Sequence, residues 1–105
     1  MAQAFDTAVK ERLRAVVDGR PATEAELRKL FEDGRACALI LSSKIERDER
    51  KLSELATDSA TSISALADTV RSLHELRPDL EELNDLLEAL NARARESRAT
   101  WVSRQ

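Results

Sequence analysis

In 105 residues the chain has no tyrosine, two phenylalanines, one tryptophan, two glycines, two prolines and one cysteine. Each shortage excludes something. Aromatic side chains bury the most area per residue, so with so few of them a rounded globular core of ordinary size is hard to assemble. Scarce glycine and proline leave little material for the frequent turns of a sheet protein. A lone cysteine excludes an intrachain disulfide and makes a cytoplasmic setting the default expectation. No apolar run approaches the roughly 20 residues of a membrane span, and the longest, Ala36 to Leu41, is far too short. The opening Met-Ala-Gln-Ala-Phe-Asp lacks the basic flank and apolar stretch of a signal peptide. Long blocks of one charge are missing too. The net charge is −3 with the signs interleaved, which makes no field strong enough to attract nucleic acid.

What is present is alanine, leucine, arginine and glutamate, with 35% of the residues charged. That is the composition of a helical or coiled-coil protein. Arginine outnumbers lysine 13 to 4, which reads as a compositional habit rather than a binding signal.

The leucines are ordered in sevens. From Ile45 the row runs through Leu52, Ser59, Leu66, Leu73, Leu80, Leu87 and Ala94 to Trp101. A companion row three residues on holds Leu55, Ser62, Thr69, Leu76, Leu83, Leu90 and Ser97. These are a and d positions of a heptad, which form one seam on an α-helix that a second helix must cover. The same phase reaches back through Leu41, Ala38 and Phe31 to Leu27.

The expected architecture is all-α, a coiled coil or helical bundle in a single helical domain over 1–105. Residues 3–17 are amphipathic, with Phe5, Val9, Leu13, Val16 and Val17 on one face. A turn over 18–22 follows, where Gly19 supplies a left-handed cap and Pro21 stands beyond it. Thr23 and Glu26 have the spacing of a capping box and open a long helix expected over 23–76. Gly34 sits at a d position within it, either as a tolerated or kinking glycine or where a second backbone comes close. Asp33-Gly34 could also mark a turn.

Two places interrupt the pattern. Residues 56–64, Ala-Thr-Asp-Ser-Ala-Thr-Ser-Ile-Ser, read either as a loop or as a thin polar stretch of continuous helix. The surviving heptad phase favours continuity. Pro78 removes a backbone donor and clashes with the carbonyl four residues earlier, so the helix should kink or stop near Arg77. A C-terminal helix over 78–99 would then start on Asp79, Glu81 and Glu82 and end on Arg93, Arg95 and Arg98, as the helix dipole prefers.

Catalytic and metal chemistry require convergent groups, and few are offered. His74 is the sole histidine and falls at a surface b position, so one chain has no two-histidine metal set. Cys37 lies beside the seam in an apolar run and reads as a small buried hydrophobe. The acidic residues from Asp79 to Glu88 belong to the wet side of an amphipathic helix. No phosphate loop, nucleophile elbow or zinc spacing occurs. No enzyme activity, catalytic residue, metal or cofactor is therefore expected. The arginine-rich tail from Arg93 to Arg104 has one aromatic, Trp101, which continues the a row and reads as a seam anchor.

Arg71-Ser72-Leu73-His74-Glu75-Leu76-Arg77-Pro78-Asp79-Leu80, followed by Leu83, Leu87 and Leu90, resembles the signature region of the KxDL-motif proteins. Arg77-Pro78-Asp79-Leu80 stands where that family has Lys-x-Asp-Leu, and Pro78 occupies a position that the family keeps helical. The resemblance covers residues 71–95. Its members are small helical subunits of the BLOC-one-related complexes, which act at lysosomal or endosomal membranes. The resemblance implies a complex subunit that reaches a membrane only peripherally, through its complex.

From the residues themselves, the first expectation is a non-enzymatic interaction or scaffold protein. Its partner-binding seam would be Leu66, Leu73, Leu76, Leu80, Leu83, Leu87, Leu90 and Trp101. Polar Asp48, Ser59, Ser62 and Thr69 on that seam weaken a self-zipper, which favours a hetero-oligomer over a homo-oligomer. Neither nucleic acid nor a transmembrane segment is expected. The second expectation is a self-contained three-helix bundle acting as a small regulatory or chaperone-like binding protein.

Overall fold

In a computed structural model of the chain, residues 2–58, 60 and 62–103 are described, with side chains over 7–58, 60 and 62–100. They form three helices: α1 (Ala2–Val17), α2 (Glu24–Thr57) and α3 (Ile63–Ser103). No strand occurs among the described residues.

The first turn follows from local chemistry. Gly19 adopts φ +122°, a conformation that only glycine reaches without steric cost. The Arg20 amide donates to the Ala15 carbonyl at 3.0 Å and the Gly19 amide to Val16 at 3.1 Å. This pair of bonds is the Schellman closure of a helix end. Thr23 then caps α2, its hydroxyl accepting from the Glu26 amide at 3.1 Å, which satisfies an amide that has no partner within the helix.

The second turn corrects an expectation. The long helix expected over 23–76 stops at Thr57, and the chain reverses before α3 starts at Ile63. Local hydrogen bonds end one helix and start the next. Thr57 turns its hydroxyl back onto the Glu54 carbonyl at 2.9 Å, Asp58 accepts from the Ala60 amide at 3.0 Å, and Ser62 caps α3 by accepting from the Ala65 amide at 3.0 Å. Ser and Asp compete with the helix for backbone partners in this way, so a turn forms without glycine or proline. The heptad phase that argued for continuity crosses the turn by coincidence of its length. Ser59, at an a position of the row, lies outside the described residues.

Pro78 is the second correction. No separate helix begins at 78, because α3 runs from Ile63 to Ser103 with Pro78 inside it. An internal proline costs a helix about 3 kcal/mol. Here the ring is exposed, so the carbonyl it leaves unpaired lies on the side that water can reach. Leu76 before it, and Leu83 and Leu87 after it, pack in the core shared with the other two helices, and Leu73 is buried as well. That packing holds the axis together across the defect.

α2 and α3 form an antiparallel hairpin. Arg98 meets Glu24 at 3.3 Å near its open end, and the Ser72 hydroxyl donates to Asp48 at 2.6 Å towards its tip. α1 folds back along the open half. One core joins the three helices: Val9, Leu13 and Val16 from α1, Leu30, Cys37 and Leu41 from α2, and Leu83, Leu87 and Leu90 from α3. Ile45, Thr69 and Leu73 are also buried but lie outside this cluster, farther along the hairpin. The molecule measures 69 × 22 × 17 Å with a radius of gyration of 18.4 Å, against about 13 Å for a compact domain near 100 residues. Phe5, expected on the α1 face, lies in that helix with its side chain outside the described residues.

Gly34 does not split α2. It is buried in mid-helix, and a Cβ there would overlap Leu87 Cδ2 and lie 3.5 Å from Leu13 Cδ1. Close approach is therefore the reason for this glycine, although what approaches is side chain rather than backbone. Gly34→Val should destabilise the fold by about 1–3 kcal/mol through overpacking, read as a lower urea midpoint with unchanged slope. Gly34→Ala should cost less, because the Leu87 methyl can turn aside and alanine adds about 1 kcal/mol of helix propensity. Pro78→Ala should stabilise by up to about 3 kcal/mol; an unchanged midpoint would mean that α3 does not run through residue 78.

Candidate helix-docking faces

The seam residues divide by position. Leu73, Leu83, Leu87 and Leu90 are buried, and Leu66, Leu76 and Leu80 are half-buried. Over Leu83, Leu87 and Leu90 the covering helices are α1 and α2 of the same chain. The densest part of the leucine row is thus the molecule's own core. Trp101 lies within α3, and its side chain is outside the described residues.

Groups considered for chemistry have structural surroundings. Cys37 is fully buried in the core, and His74 is exposed. No group of three or more histidine, cysteine, aspartate or glutamate side chains able to hold a metal occurs among the described residues. The acidic run has a part that the sequence reading missed. Lys10 Nζ lies 3.2 Å from Asp79 and 3.5 Å from Glu82, and Arg14 pairs with Glu82 as well. Two carboxylates read as solvated surface therefore bind α1 to α3. Lysine, arginine, aspartate and glutamate at ordinary helical surface spacing give no hint of this, since the partners are about 70 residues apart in sequence.

Two kinds of surface remain open. The first is a groove of about 720 Å³ between the start of α2 and the last third of α3. Ala22, Leu27, Phe31, Leu90 and Ala94 supply its apolar lining. Glu24 and Arg28 border it on the α2 side, with Asn91, Ser97 and Arg98 on the α3 side. The Arg35 guanidinium stands 6.0 Å from the centroid of the Phe31 ring, within cation–π range. Leu27 and Phe31 continue the heptad backwards, so the sequence marked them as seam. Helix spacing alone could not show that their outer edge stays uncovered.

The second is a set of exposed apolar side chains. Leu39 is 66% exposed and Ile63 84%, with Ile40 and Val70 also exposed. Ile63, half-buried Leu66 and Val70 fall at i, i+3 and i+7 and share one side of α3. These three lie towards the tip of the hairpin, beyond the three-helix core, whereas Leu39 and Ile40 lie on α2 between the core residues Cys37 and Leu41.

Charge reversal tests the α1 clamp. Lys10→Glu with Arg14→Glu would set carboxylates against Asp79 and Glu82. These pairs are partly exposed and screened, so the loss should be about 1 kcal/mol, seen as faster amide exchange in α1 with α2 and α3 unaffected. Comparison of the chain with family models, with curated proteins and with solved structures finds no match.

Proposed function

We propose that this chain is a non-enzymatic helical interaction module, a scaffold or adaptor subunit that holds protein partners along the uncovered sides of its α2–α3 hairpin. The observation that carries this reading is the exposure of Leu39, Ile63 and Val70 on helices that are already packed. Single exposed leucines need no explanation. Ile63, Leu66 and Val70, however, repeat at helical spacing beside a seam that is only two helices wide, the pattern of a face that accepts another helix.

The reading also rests on where the charged groups converge. The closest ionic clusters tie helices together, as Lys10, Arg14, Asp79 and Glu82 do, and in this proposal the chain performs no reaction of its own. Its three helices share one core within a single chain, which favours a module that folds first and docks afterwards. That combines the expected adaptor role with the self-contained bundle. The resemblance of residues 71–80 to KxDL-motif proteins points towards a subunit of a larger helical complex, and Pro78 within α3 leaves that stretch helical.

Among the described residues, no helix is long and apolar enough to cross a membrane. In this proposal any membrane contact is made by the assembly, and partners of different sequence are favoured over a second copy.

Ile63→Asp with Val70→Asp tests the reading. Both side chains are exposed, so the helical circular dichroism and urea midpoint should match the parent. Cross-linking mass spectrometry of complexes recovered from the source cells should place partner cross-links along α2 and α3 in the parent and lose them in the variant. Equal recovery of the same partners by both proteins would sink the proposal.

A further inference from the structure

We infer that the groove between the start of α2 and the last third of α3 is a docking site for an acidic amphipathic helix of a partner protein. The inference rests on the interaction-module reading above and adds to it a place and a partner chemistry.

The argument begins with shape. The groove follows the crease between two antiparallel helices, on which a further helix can pack with an axis separation of about 8–10 Å. Its α3 lining runs from Leu90 to Ser97 and Arg98, about 12 Å of helix at 1.5 Å per residue. That accommodates roughly two turns of an incoming helix. The volume of about 720 Å³ admits several large aliphatic side chains, and Phe31 supplies the aromatic anchor on which such interfaces concentrate their energy.

Charge selects among possible helices. The whole chain is acidic, with a net charge of −3, yet the groove is bordered by Arg28 and Arg98 against one carboxylate, Glu24, and Arg35 stands beside it, 6.0 Å from the centroid of the Phe31 ring that lines the groove. Glu24 is matched by Arg98 at 3.3 Å. Arg28, on the α2 wall, and Arg35, one turn beyond Phe31, form no ion pair among the described residues, and both are exposed. Arg35 is also held beside the Phe31 ring, so a carboxylate reaching its guanidinium would lie at the edge of the apolar floor. A helix with leucine-type residues on one face and glutamates or aspartates along its margin matches both features. A basic helix would meet two like charges, which suppresses the wrong partner as well as attracting the right one.

The test uses the full chain and two fluorescent 14-residue helical peptides. One has leucines at i, i+3, i+4 and i+7 flanked by glutamates, and the other has lysine in place of each glutamate. Anisotropy should show the acidic peptide binding at least about ten-fold more tightly, the equivalent of about 1.4 kcal/mol, with the difference shrinking in high salt. Amide shifts should centre on Leu27, Phe31, Leu90 and Ala94. Arg28→Glu with Arg35→Glu should reverse the preference, whereas Phe31→Asp should weaken both peptides; circular dichroism confirms that each variant is folded. No binding, equal binding of the two peptides, shifts centred on Ile63 and Val70, or concentration-dependent self-association through the groove would each overturn the inference. If the Arg28/Arg35 variant retains partners that the Ile63/Val70 variant loses, this inference fails while the interaction-module reading stands. Loss of partners by neither variant removes both.

Discussion

The structure depends on one crowded point, where α1, α2 and α3 meet at Gly34. Leu13 and Leu87 occupy the space that a side chain at residue 34 would fill. Val9, Val16, Leu30, Cys37, Leu41, Leu83 and Leu90 extend that contact into a cluster shared by all three helices. A short helix such as α1 has little stability alone. The same contact therefore decides whether α1 exists and where the hairpin is three helices thick.

Everything farther out follows from how far α1 reaches. Alongside it the seam leucines of α3 are buried, and Asp79 and Glu82 find basic partners. Towards the tip the hairpin relies on two helices, and polar groups enter the interface. Asp48 accepts from Ser72, and Thr69, 4% exposed, satisfies its hydroxyl on the Ala65 carbonyl at 2.9 Å. These bonds lose less than unsatisfied polar groups would, and a polar pair across an otherwise apolar seam can fix register. The thin tip and the arginine-bordered groove are two results of one asymmetry: a long hairpin with a short third helix on one side.

Much of this fold is legible in the residue order. Helical composition, the amphipathic face of α1, Gly19 as a cap and Thr23 as the start of α2 all follow from local chemistry, and local chemistry is what a sequence states directly. The two misreadings have opposite causes. Heptad phase argued for continuity at 56–64, but it records side-chain spacing and says nothing of the local bonds of Thr57, Asp58 and Ser62 that end one helix and start the next. Proline argued for a break at 78, but that rule weighs backbone preference without the packing that carries α3 through it. The clamp formed by Lys10, Arg14, Asp79 and Glu82 was illegible for a different reason, since it joins groups that only the folded path brings together.

The order of residues by itself determined that the chain is helical, where its first turn falls, and that a leucine seam must be covered. Those properties depend on dihedral preferences, caps and the 3.6-residue period, each set within a few neighbours. Tertiary structure alone decided what covers the seam. The chain reverses between Thr57 and Ile63, α2 lies back on α3, and Leu83, Leu87 and Leu90 face inward upon their own molecule. An apolar stripe specifies that it must be buried but carries no information on whether the covering helix comes from the same chain. The hydrophobic effect has no direction; the reversal at Asp58 and the short length of α1 supply it.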